Sequence, residues 1–324
     1  MPARTLAVQD SMTIGPGPTC GGMLCPVTEF RAAETYHGED GGLYGMGRNN
    51  PPRRHLAAAV HAAERVRALN VDGEPDPRGL IGFLSIGFSN TFHEFRDFAG
   101  LVRHESGVSP IVRPVNGAQM HVGSAAWAAA ANLTDARHHG DPWTTLDERI
   151  EQAGVAAKQI QAAWVKLTPS DPGSLGAFPS HAQALTTDLR VIVQRLKRRF
   201  PNLQLAFLSS RIFAGFARTL LSPEPYAYES AFGVRWLIQE QIRGDAEVNW
   251  DPVKGPVSAP LLLWGPYLWA RGGDAMASGD LVWTSGDFVD DGTHPNAAGI
   301  RKVAHRLLTF MKTNPAARPW FLGG

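Results

Sequence analysis

Near its C-terminus the chain reads Asp290-Asp291-Gly292-Thr293-His294-Pro295-Asn296. An Asp three residues ahead of a His, on a tight turn followed by Pro, can hold the imidazole, which then acts as a general base. A base needs a nucleophile, and the candidate lies about 200 residues upstream in Leu84-Ser85-Ile86-Gly87-Phe88-Ser89-Asn90. The apolar run ends in Gly-Phe-Ser and turns polar. This predicts a strand that breaks into a loop, with a helix beginning near Asn90. Ser89 then stands at the mouth of a helix N-terminus, where backbone N–H groups can stabilise an oxyanion. Ser85, inside the run, reads as a core serine.

Taken singly, each piece has an ordinary reading. Ser89 can be a helix N-cap, and Asp291 to His294 can be a turn ahead of the helix that Asn296 caps. The stronger argument is positional. In an open α/β sheet, ligands bind beyond the carboxyl ends of the strands, and each polar cluster of interest follows a predicted strand. Ser89 follows the first, Asn116-Gly117 the second, Lys166-Leu167-Thr168 closes the third, Ser209-Ser210-Arg211 follows the fourth and Gly265-Pro266-Tyr267 the fifth.

These residues resemble the first and last blocks of the SGNH (GDSL-type) hydrolase superfamily: Gly87-Phe88-Ser89-Asn90 early and Asp291-Gly292-Thr293-His294-Pro295 late, with the order Ser, Asp, His kept. The resemblance spans about residues 80–312. It implies a three-layer α/β/α sandwich with a mostly parallel five-stranded sheet, flavodoxin-like, and a Ser89, His294, Asp291 triad. It also implies oxyanion donors at Ser89 and Gly117. Two departures stand out. Phe88 replaces the usual Asp of the first block. Where the third block carries Gly-x-Asn, this chain has Lys166-Leu167-Thr168-Pro169-Ser170, without Asn and with a Pro that has no N–H to donate. Losing one oxyanion donor costs about 3 kcal/mol of transition-state stabilisation, so Lys166 or Thr168 is expected to replace it. Asn90, Arg211, Tyr36 and Trp264 are the expected substrate contacts.

The implied activity is that of a serine esterase on a small carboxylic ester, an acyl or acetyl group on a carbohydrate being the expectation from the family and the pocket aromatics. The alternative is a non-catalytic binding protein on the same scaffold. A third, weaker reading is a phosphodiesterase or lipase-like variant. No cofactor is implied.

The elements that must position these groups are readable from hydrophobic period. A helix starts at Pro51-Pro52 and carries Leu56, Val60, Ala63, Val66 and Leu69 at helical spacing. Strands are expected at Leu80–Phe88, Ile111–Val115, Gln161–Leu167, Leu203–Leu208 and Pro260–Trp264. Thr145-x-x-Glu148 has the form of a capping box that opens a helix to about Ala153. Further helices are expected at Ser180–Arg199, Glu229–Ile242 and after Asn296. Alternating strands and helices argue for a parallel sheet covered on both sides. Residues 1–52 are rich in Gly and Pro yet hold Phe30, Tyr36 and Tyr44. They read as an ordered wrap on a main domain of residues 53–324. Residues 28–48 are expected near the mouth of the Ser89 pocket, with Tyr36, His37, Glu39 and Arg48 reaching substrate.

Composition bounds the rest. The 324 residues are 44% hydrophobic and 19% charged, with a net charge of +1. Nothing there suggests nucleic acid or an anionic membrane as main partner, and no apolar run reaches the length of a transmembrane span. No apolar core follows Met1-Pro2-Ala3-Arg4-Thr5, so no secretory signal is visible; a cytoplasmic protein, or a secreted one with its signal removed, both fit. Oligomeric state stays open. Cys20 and Cys25 are a poor zinc signature and read as a local disulfide or two free thiols. His138-His139-Gly140-Asp141 reads as a solvated loop, not a metal site. The Gly41–Gly47 stretch lacks a preceding strand and a Gly-Lys-Ser/Thr ending, so it is not a phosphate loop.

Overall fold

The structure is a computed structural model that describes residues 17–20, 23–129, 141–271 and 281–323. Five strands form one sheet: β1 (Ile81–Gly87), β2 (Val112–Asn116), β3 (Ile160–Lys166), β4 (Leu205–Ser209) and β5 (Leu261–Trp264). Every pairing is parallel and the spatial order is β2-β1-β3-β4-β5. This is the flavodoxin-like order, with its reversal between β1 and β3. The register aligns Gly87 with Lys166, Lys166 with Ser209, and Leu208 with Trp264, so the carboxyl ends share one edge.

The strands read as continuous apolar runs because both sheet faces are covered. Alternate residues go to opposite layers. Leu84, Ala163, Val165, Ala206 and Leu262 pack in one, with helices α3 (Ser124–Ala128), α4 (Pro142–Gln152), α5 (Ser180–Arg199) and α6 (Tyr226–Arg243). Phe83, Ala162, Trp164, Phe207 and Leu263 pack in the other, with α1 (Arg53–Glu64), α2 (Ser89–His104) and α7 (Ala297–Thr313). Leu185, Leu189, Ile192 and Leu196 of α5 are all buried, each worth about 1.5–3 kcal/mol relative to an exposed side chain.

Two helices differ from expectation. Helix α1 stops at Glu64 and buries His55, Ala59, Ala62 and Ala63, while Leu56 and Val60 stay half-buried. The small side chains form the packing face, and His55 Nε2 lies 2.7 Å from the Leu262 carbonyl oxygen. Helix α4 starts three residues before Thr145. Asp141 caps it, accepting from the Trp143 N–H at 3.2 Å, with Pro142 in the first turn.

The N-terminal segment closes a disulfide, Cys20–Cys25, and forms two two-residue hairpins, Thr19–Cys20 with Met23–Leu24 and Thr35–Tyr36 with Glu39–Asp40. Its Leu24, Val27, Tyr36, Leu43 and Tyr44 join the α5/α6 layer of the core. Among the described residues, no helix is long and apolar enough to cross a membrane.

Candidate active site

Ser89 opens α2 directly after the end of β1, with Phe88 extended ahead of it. No side chain caps this helix, so its first N–H groups point to the sheet edge without intrahelical partners. Helix α2 is held there by bonds the sequence does not announce. Thr91 Oγ1 donates to the Lys166 carbonyl at 2.9 Å, and Asn116 Nδ2 donates to the Phe92 carbonyl at 2.8 Å. Asn116 Oδ1 in turn accepts from the fully buried Ser85 hydroxyl at 3.0 Å, so Ser85 is the core serine expected.

Asp291 and His294 sit on a tight turn between Phe288 and Pro295, which pair in an antiparallel bridge. The Val289 N–H donates to the His294 carbonyl at 2.9 Å and closes its neck. Gly292 has φ +61, and a Cβ there would meet the Phe216 carbonyl oxygen at 1.8 Å; this turn needs glycine both for its backbone and for its neighbour. Asp291 Oδ1 accepts from the Thr293 and His294 N–H groups at 2.8 and 2.9 Å. Its Oδ2 is 2.6 Å from His294 Nδ1. The opposite ring nitrogen, Nε2, is 3.0 Å from Ser89 Oγ. The three side chains therefore form one hydrogen-bonded line. Partial burial pushes the Asp291 carboxyl up, but the His294 backbone and ring, the Thr293 N–H and the His294 charge outweigh it and hold the carboxyl below its ordinary value. Asn90 ties the two halves together, its Nδ2 donating to the Thr293 carbonyl at 3.3 Å. His93, on the next turn of α2, is kept toward its neutral form by burial and by the charges of Arg96 and His294.

The expected oxyanion donors fare unevenly. The Ser89 N–H is in the uncapped first turn of α2. The Gly117 N–H donates to the Val115 carbonyl at 3.1 Å, so it is committed within its own loop, which Arg149 clamps through the Asn116 and Ala118 carbonyls. Lys166 is not a free donor. Its Nζ lies 2.7 and 2.5 Å from the two carboxylate oxygens of Glu94, and both side chains are buried. Burial pushes the Lys166 ammonium down and the Glu94 carboxylate pulls it back. Thr168 is buried beside Asn90 and Arg211. Glu94 was readable only as a polar interruption of the apolar stripe carrying Phe95 and Phe98.

Arg211 reaches the site from beyond β4. Its Nε donates to the Ser222 carbonyl at 3.0 Å, and its Nη2 has no partner among the described residues although it is buried. Burial pushes this guanidinium down to about 10, against the opposing pull of Glu224, Glu94 and Asp291.

Tyr36, Glu39 and Trp264 have polar groups bonded within the protein. Tyr36 is buried, and its hydroxyl donates to Glu229 Oε1 at 2.5 Å; His181 Nε2 occupies the other oxygen at 2.7 Å. Glu39 pairs with Arg235. Trp264 donates its indole N–H to the Leu43 carbonyl at 2.5 Å, and its backbone N–H to the Tyr44 hydroxyl at 3.1 Å. These bonds seat the N-terminal segment on α6 and the β5 edge, with β3 and β4 between it and β1. His37 and Arg48 are exposed on that segment. The His138-His139 pair lies outside the described residues, and Asp141 serves as the α4 cap. Among the described residues no cluster of three metal-ligating side chains occurs.

No protein-family model matches the chain, and no curated protein matches its sequence. One similar solved structure is that of a candidate acylhydrolase from Bacteroides fragilis, with a TM-score of 0.39 and 12% identity over 80% of this chain and 96% of that one.

Proposed function

We propose that the protein is a serine esterase that hydrolyses small carboxylic esters through Ser89, His294 and Asp291. The observation that carries this reading is the 3.0 Å contact of Ser89 Oγ with His294 Nε2, continued at 2.6 Å from Nδ1 to Asp291. In this reaction His294 takes the Ser89 proton as Oγ attacks the ester carbonyl carbon. The tetrahedral oxyanion is met by the first N–H groups of α2. Its collapse breaks the ester C–O bond, and His294 returns the proton to the departing alcohol. Water, deprotonated by His294, then attacks the Ser89 acyl ester and releases the acid. Asp291 holds the ring in orientation and stabilises the imidazolium.

The occupied Gly117 N–H and Lys166 ammonium favour a second reading, a binding protein on an esterase scaffold. Turnover separates the two. With p-nitrophenyl acetate, the esterase reading expects saturable hydrolysis that falls by about 10³-fold or more in Ser89→Ala and His294→Ala, in line with losing a nucleophile or its base. Hydrolysis equal in the wild type and Ser89→Ala would sink it.

A further inference from the structure

Beside the nucleophile lies a recess of about 10 Å³, bordered by Phe88, Asn90, Lys166, Thr168 and Arg211. That is room for about one water-sized oxygen. Two of its residues carry a buried polar atom with no partner among the described residues: the acceptor Asn90 Oδ1 and the donor Arg211 Nη2. The Asn90 amide cannot be turned to hide this, because its Nδ2 already donates to the Thr293 carbonyl. Lys166 is neutralised by Glu94 and adds no free donor. A buried unpaired donor and a buried unpaired acceptor each cost about 1–3 kcal/mol, and one occupant that accepts from Arg211 and donates to Asn90 removes both costs. A carbonyl oxygen only accepts, and would face the Asn90 oxygen. An ammonium only donates, and would face the guanidinium. An O–H group does both.

We propose that this recess binds a hydroxyl on the acyl part of the substrate, so that the site is built for short 2-hydroxyacyl esters. The inference rests on the esterase reading above. The side of the scissile bond follows from proton transfer. The leaving alcohol must depart toward His294 Nε2, which protonates it; none of Ser89, Asp291 and His294 itself borders the recess. The acyl group stays on Ser89, whose two chain neighbours, Phe88 and Asn90, do border it. The 2-carbon is the first acyl carbon that can carry a hydroxyl, so it is the position nearest Ser89 that can supply one.

The test compares phenyl 2-hydroxyacetate with phenyl propionate, near-isosteres in which a methyl replaces the hydroxyl, each rate divided by that ester's own rate with hydroxide ion. The wild type is expected to favour the hydroxyacetate in kcat/KM by at least about 30-fold, because a site that hydrogen-bonds a hydroxyl rejects the analogue lacking it. In Arg211→Met the ratio is expected to fall to about threefold or less, with Arg211→Lys between. Being taken within one variant, the ratio is insensitive to how much of that variant folds. Should Arg211→Met yield no folded protein, the wild-type ratio and Arg211→Lys decide. A wild-type ratio near one, with both esters turned over in a Ser89-dependent manner, overturns the proposal and leaves the recess to a bound water. A high ratio unchanged by the Arg211 variants overturns it as well. No turnover of either ester by the wild type would instead remove the esterase reading beneath it.

Discussion

Lys166 at the end of β3 and Glu94 in the second turn of α2 form a buried ion pair, Nζ lying 2.7 and 2.5 Å from the two carboxylate oxygens. The pair pins the helix that begins at Ser89 to the neighbouring strand. Two buried charges satisfy each other, but one alone does not. Lys166→Met is therefore expected to lose about 3–5 kcal/mol of stability, and the double variant Lys166→Met/Glu94→Leu much less. Urea unfolding of the single and double variants measures both. A double-variant loss equal to the sum of the two single-variant losses would mean that the two side chains act independently.

The turn that carries Asp291 and His294 depends on Gly292. Its φ of +61 disfavours any side chain, and a Cβ would collide with the Phe216 carbonyl. Gly292→Ala should destabilise the fold by more than about 1 kcal/mol and reduce ester turnover further than the loss of folded protein explains, since the turn sets the 3.0 Å reach of His294. Activity normalised to folded protein, by circular dichroism, checks this. Full specific activity would show that the turn tolerates the change.

The fold is legible in the sequence to different depths. The strands stand out because burial on both faces makes them unbroken apolar runs, and α5 is expected and found over the same residues, Ser180–Arg199. Helix α1 shows the limit of periodicity. Its apolar period continues through Val66 and Leu69, which are buried in the chain beyond the helix end at Glu64. At α4 the Thr145-x-x-Glu148 pattern competes with Asp141-Pro142, and the latter opens the helix. Ser89, Asp291 and His294 are legible as candidates because their local motifs are short. Arg211 is legible as a candidate substrate contact from its place after β4, but Glu94 is not legible, since its meaning comes from Lys166, far along the chain. The aromatic residues of the N-terminal segment suggest a cover, and composition alone does not say which edge it covers.

Asp291 gives a pH signature. Its carboxyl is held below the ordinary value of 3.8 in the folded protein. A depressed folded value means that its contribution to stability is complete above the unfolded value and is lost as pH falls through the folded one. The stability advantage of the wild type over Asp291→Asn should thus be constant from about pH 6 to pH 5 and shrink only below about pH 4. Denaturant titrations at pH 6, 5, 4 and 3 measure it. A loss already complete at pH 5 would contradict the hydrogen bonds that hold the carboxylate.

Tyr36 tests the placement of the N-terminal segment. Tyr36→Phe removes the donor to Glu229 and leaves a buried carboxylate oxygen unpaired, at a cost of about 1–3 kcal/mol. Because the Tyr36 hydroxyl is bonded to Glu229 of α6 and not to the Ser89, His294 and Asp291 line, KM for a small ester should stay close to the wild-type value while Tm falls. A raised KM with Tm unchanged would restore Tyr36 to the substrate site.

The central claim is that Ser89 is a nucleophile activated by His294. Incubation with a fluorophosphonate followed by intact-mass spectrometry tests it most directly. The account predicts a single phosphonyl adduct on the wild type, located at Ser89 by peptide mapping, with none on Ser89→Ala and far slower labelling of His294→Ala. An unlabelled wild type, or a Ser89→Ala variant that labels as fast as the wild type, would contradict it.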